Sequence, residues 1–329
     1  MIAGRPALAG ATVAVTGGAG FIGSHLVDRL LREGAEHVVV IDNLFLGREA
    51  NLEDALATGR VTFHREDIEF ASSLDYIFRQ RPIDVVFNCA TKALNYSFLN
   101  PANAFATNVT GVLNLLELQR AGRFRTLCHF STSEVYGSAV YEPMDEAHPR
   151  NPTTTYAAGK AAADLAVSSY MRMFGVDAYV VRPFNNYGPR QNHEGMMAGV
   201  IPLTAWRILH GIAPEVHGTG RQSRDFIHVH DTVEAVVRLH EVLPAGEDVN
   251  VSTDNQVAIG DLVPAIARHL GYEGEILRKD ARRADVECHN ASNAKVKALI
   301  EYPLTPFDEG LRTTLEWYRA RIVPPGAPR

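Results

Sequence analysis

Along the first 185 residues, short runs of β-branched and other apolar residues alternate with stretches whose apolar positions recur at helical spacing. TVAVTG (12–17), HVVVID (37–42), VTFHRED (61–67), DVVFNCA (84–90), TLCHFST (126–132) and DAYVVRPFN (177–185) read as strands. Between them, FIGSHLVDRLLREG (21–34), NAFATNVTGVLNLLELQRAG (103–122) and TYAAGKAAADLAVSSYMRMFG (155–175) read as helices. Strands separated by helices pair in parallel through crossovers, which predicts an α/β fold with a doubly wound sheet covered on both faces.

The pattern loosens after Asn185. NNYGPRQNHEGMMAG is loop-rich, a helix follows near 199–211, and PEVHG is a short strand. RDFIHVHDTVEAVVRLHEVL reads as a strand end and a helix that returns to the first unit. A helix (260–271), a strand (274–278) and a closing amphipathic helix (307–321) complete the chain. This smaller mixed α/β region suits a substrate lobe at the carboxyl ends of the strands.

With 329 residues, 46% of them hydrophobic and 21% charged, the chain has the composition of a soluble globular protein. A formal net charge of -6 argues against duplex nucleic acid or an anionic membrane as partner, since both select basic faces. MIAGRPALAG lacks a leader's apolar run, and no stretch approaches the ~20 apolar residues of a membrane span. A cytoplasmic protein is expected. Cys89, Cys128 and Cys288 are scattered, which fits a reducing compartment without disulfides. His228 and His230 are the one tight histidine pair and would share a face of a strand. With no carboxylate or third histidine at helical spacing beside them, no metal site is predicted.

TVAVTGGAGFIGSHL places Gly17, Gly20 and Gly23 between the first strand and the first helix. There Gly17 permits a tight turn, Gly20 lets a pyrophosphate approach the backbone, and Gly23 allows close helix packing. The helix N-terminus then faces the phosphates with unpaired amides. Asp42 ends the second strand about twenty residues further on, where a carboxylate accepts both adenosine ribose hydroxyls and repels a 2′-phosphate. This predicts NAD rather than NADP. Asp67 either reaches the adenine edge or stands as a solvated strand-end acid. The reading divides the chain into a Rossmann-type NAD-binding domain (1–184, with a return segment near 225–252) and a lobe at 185–329.

Tyr156 and Lys160 stand four residues apart at a helix start and project from one face. A tyrosine titrates near 10 in water, too high for a base at neutral pH. An adjacent ammonium, helped by the positive nicotinamide ring, is expected to stabilise the phenolate and lower that value. Thr132, at the end of TLCHFST, would orient the same sugar hydroxyl. A non-catalytic NAD-binding regulator would predict a broken triad, and all three residues are present.

GGAGFIG, Asp42-Asn43, Asp67-Ile68, STSEVYG (131–137), YAAGK (156–160) and RPFNNYGPRQ (182–191), in this order, resemble the extended short-chain dehydrogenase/reductase family. Within it the chain is similar to the NAD-dependent nucleotide-sugar epimerases, dehydratases and decarboxylases. The resemblance implies a triad of Thr132, Tyr156 and Lys160, with Asn108 supporting the nicotinamide side. It implies cofactor contacts at Phe21, Ile22, Asp42, Asn43, Asp67 and Ile68, and at Lys92 on the cofactor ribose. Asn185, Arg224 and Arg282 would hold the sugar diphosphate, with Ser133 beside the sugar. Two guanidinium forks closing on a diphosphate make chemical sense in an acidic protein. The resemblance also implies a homodimer built on the helices at 103–122 and 155–175, where Ala157, Ala158, Ala161, Ala162 and Ala163 would allow close approach or simply pack in the core.

The shared first step takes hydride from sugar carbon 4 to NAD. Glucose-type dehydratases resemble Thr-Asp-Glu where this chain has Thr132, Ser133 and Glu134, so the usual proton donor to the leaving hydroxyl is missing. Thr-Ser-Glu also occurs in mannose-type dehydratases and in glucuronate decarboxylases. The Arg-Lys-Pro run of the decarboxylases is not apparent in RRADVECHNASNAK. Lys92 leans towards the epimerases. Glu134 is either an acid/base group or a carboxylate that hydrogen-bonds beside the site. A 4-epimerase acting on a nucleotide sugar is the expectation, with 4,6-dehydration and glucuronate decarboxylation as alternatives.

Overall fold

A computed structural model describes residues 4–281 and 288–322. Seven strands form one sheet: β1 (Thr12–Thr16), β2 (His37–Ile41), β3 (Val61–His64), β4 (Val85–Asn88), β5 (Thr126–Phe130), β6 (Asp177–Pro183) and β11 (Asp248–Val251). Four shorter strands lie between the last two: β7 (Asn185–Tyr187), β8 (Glu215–His217), β9 (Ser223–Arg224) and β10 (Phe226–His228). The sheet order is β11-β6-β5-β4-β1-β2-β3, and every pair in it is parallel.

The sheet is buried on both sides because its strands alternate between two cores. Val13 and Val15 face the core that receives Leu26 and Leu30 of helix α1 (Phe21–Glu33) and Val233 and Val236 of the helix Val229–Val242. Ala14 and Ile41 face the opposite core. The short helix α2 (Glu53–Ala57) leads into β3, and the second face is covered by α3 (Ala71–Gln80), α4 (Pro101–Arg120) and α5 (Thr155–Phe174). Asn100 caps α4 by accepting from the Asn103 amide, with Pro101 in the first turn. Thr154 caps α5 by accepting from the Ala157 amide at 3.2 Å, and left-handed Gly175 ends it.

The doubly wound sheet is present as expected, with shifts at element ends. The strand expected at 61–67 stops at His64, and that expected at 84–90 occupies Val85–Asn88. The strand expected at 177–185 leaves the sheet after Pro183, and Asn185–Tyr187 pairs instead with β10. The strand expected at 274–278 occupies Leu277–Lys279, paired with β8. Helix α3 has no counterpart in the periodicity reading. His228 and His230 do not share a strand: β10 ends at His228 and His230 lies in the following helix. Their rings nevertheless sit 4.9 Å apart. Among the described residues no cluster of three or more His, Cys, Asp or Glu side chains could hold a metal ion, and no helix is long and apolar enough to cross a membrane.

A buried ion pair lies beneath the carboxyl end of β5 and β6. Arg182 has no exposed surface and donates to Asp164 of α5 at 2.9 Å and to the Tyr136 hydroxyl at 3.2 Å. It also bonds Asp248 of β11, tying that late strand to α5. Asp164 additionally accepts from the Ser131 hydroxyl at 2.9 Å. Removing the cation leaves a buried carboxylate without its counter-charge. Arg182→Met is expected to lower the unfolding free energy by about 3–5 kcal/mol, read by urea denaturation; unchanged stability would contradict this account of the pair.

Candidate active site

The turn between β1 and α1 is set by steric limits. Gly17 has φ +68°, and a Cβ there would lie 2.7 Å from the Ala90 amide nitrogen. A Cβ on Gly23 would lie 2.2 Å from the Gly17 carbonyl oxygen, so α1 can approach the turn only as glycine. Gly20 precedes α1, and no side chain caps the helix amides. This end of α1 therefore presents donors and the positive end of its dipole to a cleft of about 450 Å³ above the carboxyl ends of the strands. Gly17, Gly20, Phe21, Ile22 and Gly23 line one end of the cleft.

Asp42 is buried at the end of β2 and accepts from the amides of Leu44 at 2.8 Å and Ala19 at 3.0 Å. Burial raises its carboxyl above the ordinary value, while those amides pull it back. Asn43 donates to Asp67 at 2.6 Å, and both line the cleft. Ile68 lines it too, its side chain seated on Gly111 of α4. A glycine cradle at a helix N-terminus, followed by a carboxylate at the next strand end, fits the pyrophosphate and adenosine ribose of NAD.

Thr132, Ser133 and Glu134 follow β5 and line the far end of the cleft with Tyr156 and Lys160 of α5. The Thr132 and Thr91 hydroxyls lie against the Tyr156 phenol. Asn108 does not line the cleft. It stands behind, accepting from the Thr91 hydroxyl at 2.8 Å and facing the Tyr156 carbonyl at 3.5 Å. Lys92 is buried in the cleft wall, its Nζ 3.9 Å from the centroid of Phe45. Phe45 and Tyr96 make an edge contact at 5.0 Å that closes this wall.

The expected lowering of the phenol by an adjacent ammonium is not found. Burial pushes Tyr156 up to about 12; the Thr132 and Thr91 hydroxyls draw it down, and Glu134 raises it. Lys160 instead donates to the Phe130 carbonyl at 2.9 Å, and burial brings its ammonium down to about 8 against the pull of Asp164. The two side chains share a helix face, yet the lysine is committed to the strand end.

A second cavity joins the first, Asn185 and Gln191 lining both. Arg224 belongs to this second cavity, with Glu215, His217 and Gln222 around it. Arg282 lies outside the described residues. Three side chains escaped the sequence reading. Thr91 precedes Lys92 and was within reach of a motif argument; Phe45 follows Asp42-Asn43 in a loop with no periodicity. His289 faces Glu134 at 3.7 Å only because Cys288–His289 pairs with β9, a contact no local pattern announces.

The chain is similar over most of its length to proteins of several activities. The UDP-glucose 4-epimerase of Mycolicibacterium smegmatis is 33% identical over 308 residues, 93% of this chain and 97% of that protein. UDP-glucuronic acid decarboxylase 1 of Xenopus tropicalis is 33% identical over 319 residues, covering 94% and 72% of the two chains. A crystal structure of the dTDP-glucose 4,6-dehydratase of Streptomyces venezuelae with NAD bound superposes with a TM-score of 0.88 at 30% identity, covering 94% of this chain and 97% of that one. The model of the NAD dependent epimerase/dehydratase family matches residues 13–252. With NAD as its cofactor, the chain is an enzyme that belongs to the NAD dependent epimerase/dehydratase family.

Proposed function

We propose that the protein is a nucleotide-sugar 4-epimerase of UDP-hexose or UDP-hexuronate type. The observation that supports this reading is the lining of the cleft: Ser133 stands before Glu134, where the resemblance puts the dehydratases' acid, and Lys92 is buried in the wall of the same cleft. When bound, NAD accepts the hydride from sugar carbon 4, and its nicotinium charge favours the phenolate. Tyr156 takes the proton of the 4-hydroxyl and returns it after hydride comes back to the other face. Thr132 aligns that hydroxyl, and Lys160 holds the cofactor ribose from the strand end. Asp42 selects NAD through the adenosine ribose. Asn185 and Arg224 receive the diphosphate, so the nucleotide lies in the second cavity.

The same first oxidation serves 4,6-dehydration and glucuronate decarboxylation, which the retained Glu134 keeps as alternative readings. We infer a reducing, cytoplasmic setting, which the three unpaired cysteines support. A homodimer is proposed through α4 and α5, where Leu165 and Met173 are 60% and 69% exposed on one face of α5.

Incubation with UDP-glucose, UDP-glucuronate and their N-acetyl relatives, followed by NMR of the products, is expected to give the 4-epimer of one of them. A stable 4-keto-6-deoxy product or released carbon dioxide would replace the epimerase reading with an alternative. Tyr156→Phe is expected to lower kcat at least ~100-fold with little change in KM; unchanged turnover would remove Tyr156 from the chemistry. Lys160→Met should abolish turnover yet raise the unfolding free energy of NAD-free protein by about 1–3 kcal/mol below pH 8. Lys160 is depressed on folding, so its burial costs most while the ammonium must persist. That cost fades as pH rises from about 8 towards the unfolded value, and the variant's advantage shrinks with it. Urea denaturation at pH 7 and 9.5 reads the difference. Leu165→Glu with Met173→Glu is expected to give a monomer by analytical ultracentrifugation; a wild-type monomer would rule out the proposed interface.

A further inference from the structure

Three adjacent strands carry a row of buried polar side chains near their carboxyl ends. Thr16 of β1 is in register with Asn88 of β4, and Asn88 with His129 of β5. None of the three has exposed surface. Alternation along β1 puts Thr16 on the same face as Ala14, the face that α5 covers. The Thr16 hydroxyl lies 2.6 Å from Asn88 Oδ1, and Asn88 Nδ2 lies 3.1 Å from His129 Nδ1. His129 Nε2 faces Asp164 Oδ1 of α5 at 3.7 Å. Among the described residues neither of these last two atoms has a hydrogen-bond partner.

The hydrogens along the row follow from its last member. The Asp164 carboxylate, which takes Ser131 and Arg182 on Oδ2, only accepts. Burial, with Lys160 and Arg182 nearby, holds the His129 imidazole well below its ordinary value, so the ring is neutral. A neutral ring has one N–H, and it belongs on Nε2, facing the carboxylate oxygen. Nδ1 consequently accepts from the Asn88 amide, whose carbonyl accepts from Thr16. At 3.7 Å the contact with Asp164 is longer than a hydrogen bond and acts as a dipole on a charge.

We propose that His129 is a positioning residue for Lys160: its Nε2–H engages Asp164 Oδ1 and keeps that oxygen from drawing the lysine off the Phe130 carbonyl. This rests on the reading that Lys160 holds the cofactor ribose beside Tyr156. Oδ2 is occupied, so Oδ1 is the atom over which the histidine and the lysine compete. Lys160 lies one turn before Asp164 and bonds the carbonyl of the residue next to His129 at 2.9 Å. The groups facing its ammonium are Asp164 on its own helix, Cys89 after β4 and His129, while Tyr156 shares its helix face. Arg182 of β6 meets the carboxylate from the other side. A lysine turned towards Asp164 would leave the ribose, and the nicotinamide with it, out of line with the sugar.

Two measurements test the proposal. In NAD-loaded protein with ¹³Cε-labelled lysine, the Lys160 signal is assigned by its loss in Lys160→Met and followed with pH. His129→Phe, which fills the space without an N–H, should raise the Lys160 midpoint by about one pH unit as Oδ1 turns to the ammonium. His129→Asn, which still accepts from Asn88 but stops short of Asp164, should give the same rise and serves where the phenylalanine variant does not fold. His129→Gln, whose amide donates where Nε2 does, should leave the midpoint near the wild-type value. A midpoint unmoved by loss of the N–H, or moved alike by all the variants, would overturn the proposal, and this arm needs no substrate.

The second arm uses the nucleotide sugar that wild-type enzyme turns over. His129→Phe or His129→Asn is expected to lower kcat roughly tenfold with KM nearly unchanged, and His129→Gln to recover most of that loss. A kcat equal to wild type in every variant would refute the positioning role while leaving the assigned chemistry intact. A wild-type enzyme inert towards every nucleotide sugar would refute the assigned chemistry and leave the lysine titration to decide the role of His129.

Discussion

An ammonium held out of water is costly, and the surroundings of Lys160 are arranged around that cost. The side chain is buried and donates to the open carbonyl at the end of β5, where the parallel sheet runs out of partners. Asp164, one turn along the same helix, supplies the countercharge. Asp164 is itself pinned by Arg182 and Ser131, and Arg182 by Asp248 and Tyr136. The result is a chain of charges from the active site to the edge of the sheet. The lysine is a stiff fixture, and on the proposed reading the tyrosine four residues before it moves the proton.

The glycine cradle is the second constraint, and it is steric rather than electrostatic. Because Gly17 and Gly23 sit where side chains cannot, and Gly20 where one would press on the Gly17 carbonyl oxygen, the α1 amides meet the cleft directly. Asp42 closes the same end by accepting from amides of the cradle and of its own loop. One end of the cleft is thus built by backbone, the other by side chains of α5 and of the segment after β5. On the proposed reading the backbone end receives NAD and the side-chain end the sugar.

Much of this was readable in the chain. The strands Thr12–Thr16 and His37–Ile41 announce themselves through β-branched runs, and the glycine turn and Asp42 through their places at the ends of the first two strands. Tyr156 and Lys160 were legible as a pair, but the direction of the ammonium was not. It depends on the Phe130 carbonyl across the sheet end, which spacing on a helix does not encode. Helix Ala71–Gln80 escaped because its polar positions mask a modest apolar stripe of Leu74, Ile77 and Phe78. His289 escaped for a different reason: two residues of strand carry no period, and their place is set by β9, more than sixty residues earlier.

The bond between Arg182 and Asp248 joins a strand completed by residue 183 to one that begins at 248. On a growing chain, β6 therefore leaves the ribosome as an open edge with its hydrogen-bonding groups unpaired and its arginine lacking one of two carboxylates. The entire segment from β7 to the helix Val229–Val242 has to emerge before β11 can dock and shield that edge. The whole segment between residues 184 and 247 is consequently made while the sheet's border is unfinished. Its synthesis sets how long that border stays available to a wrong partner.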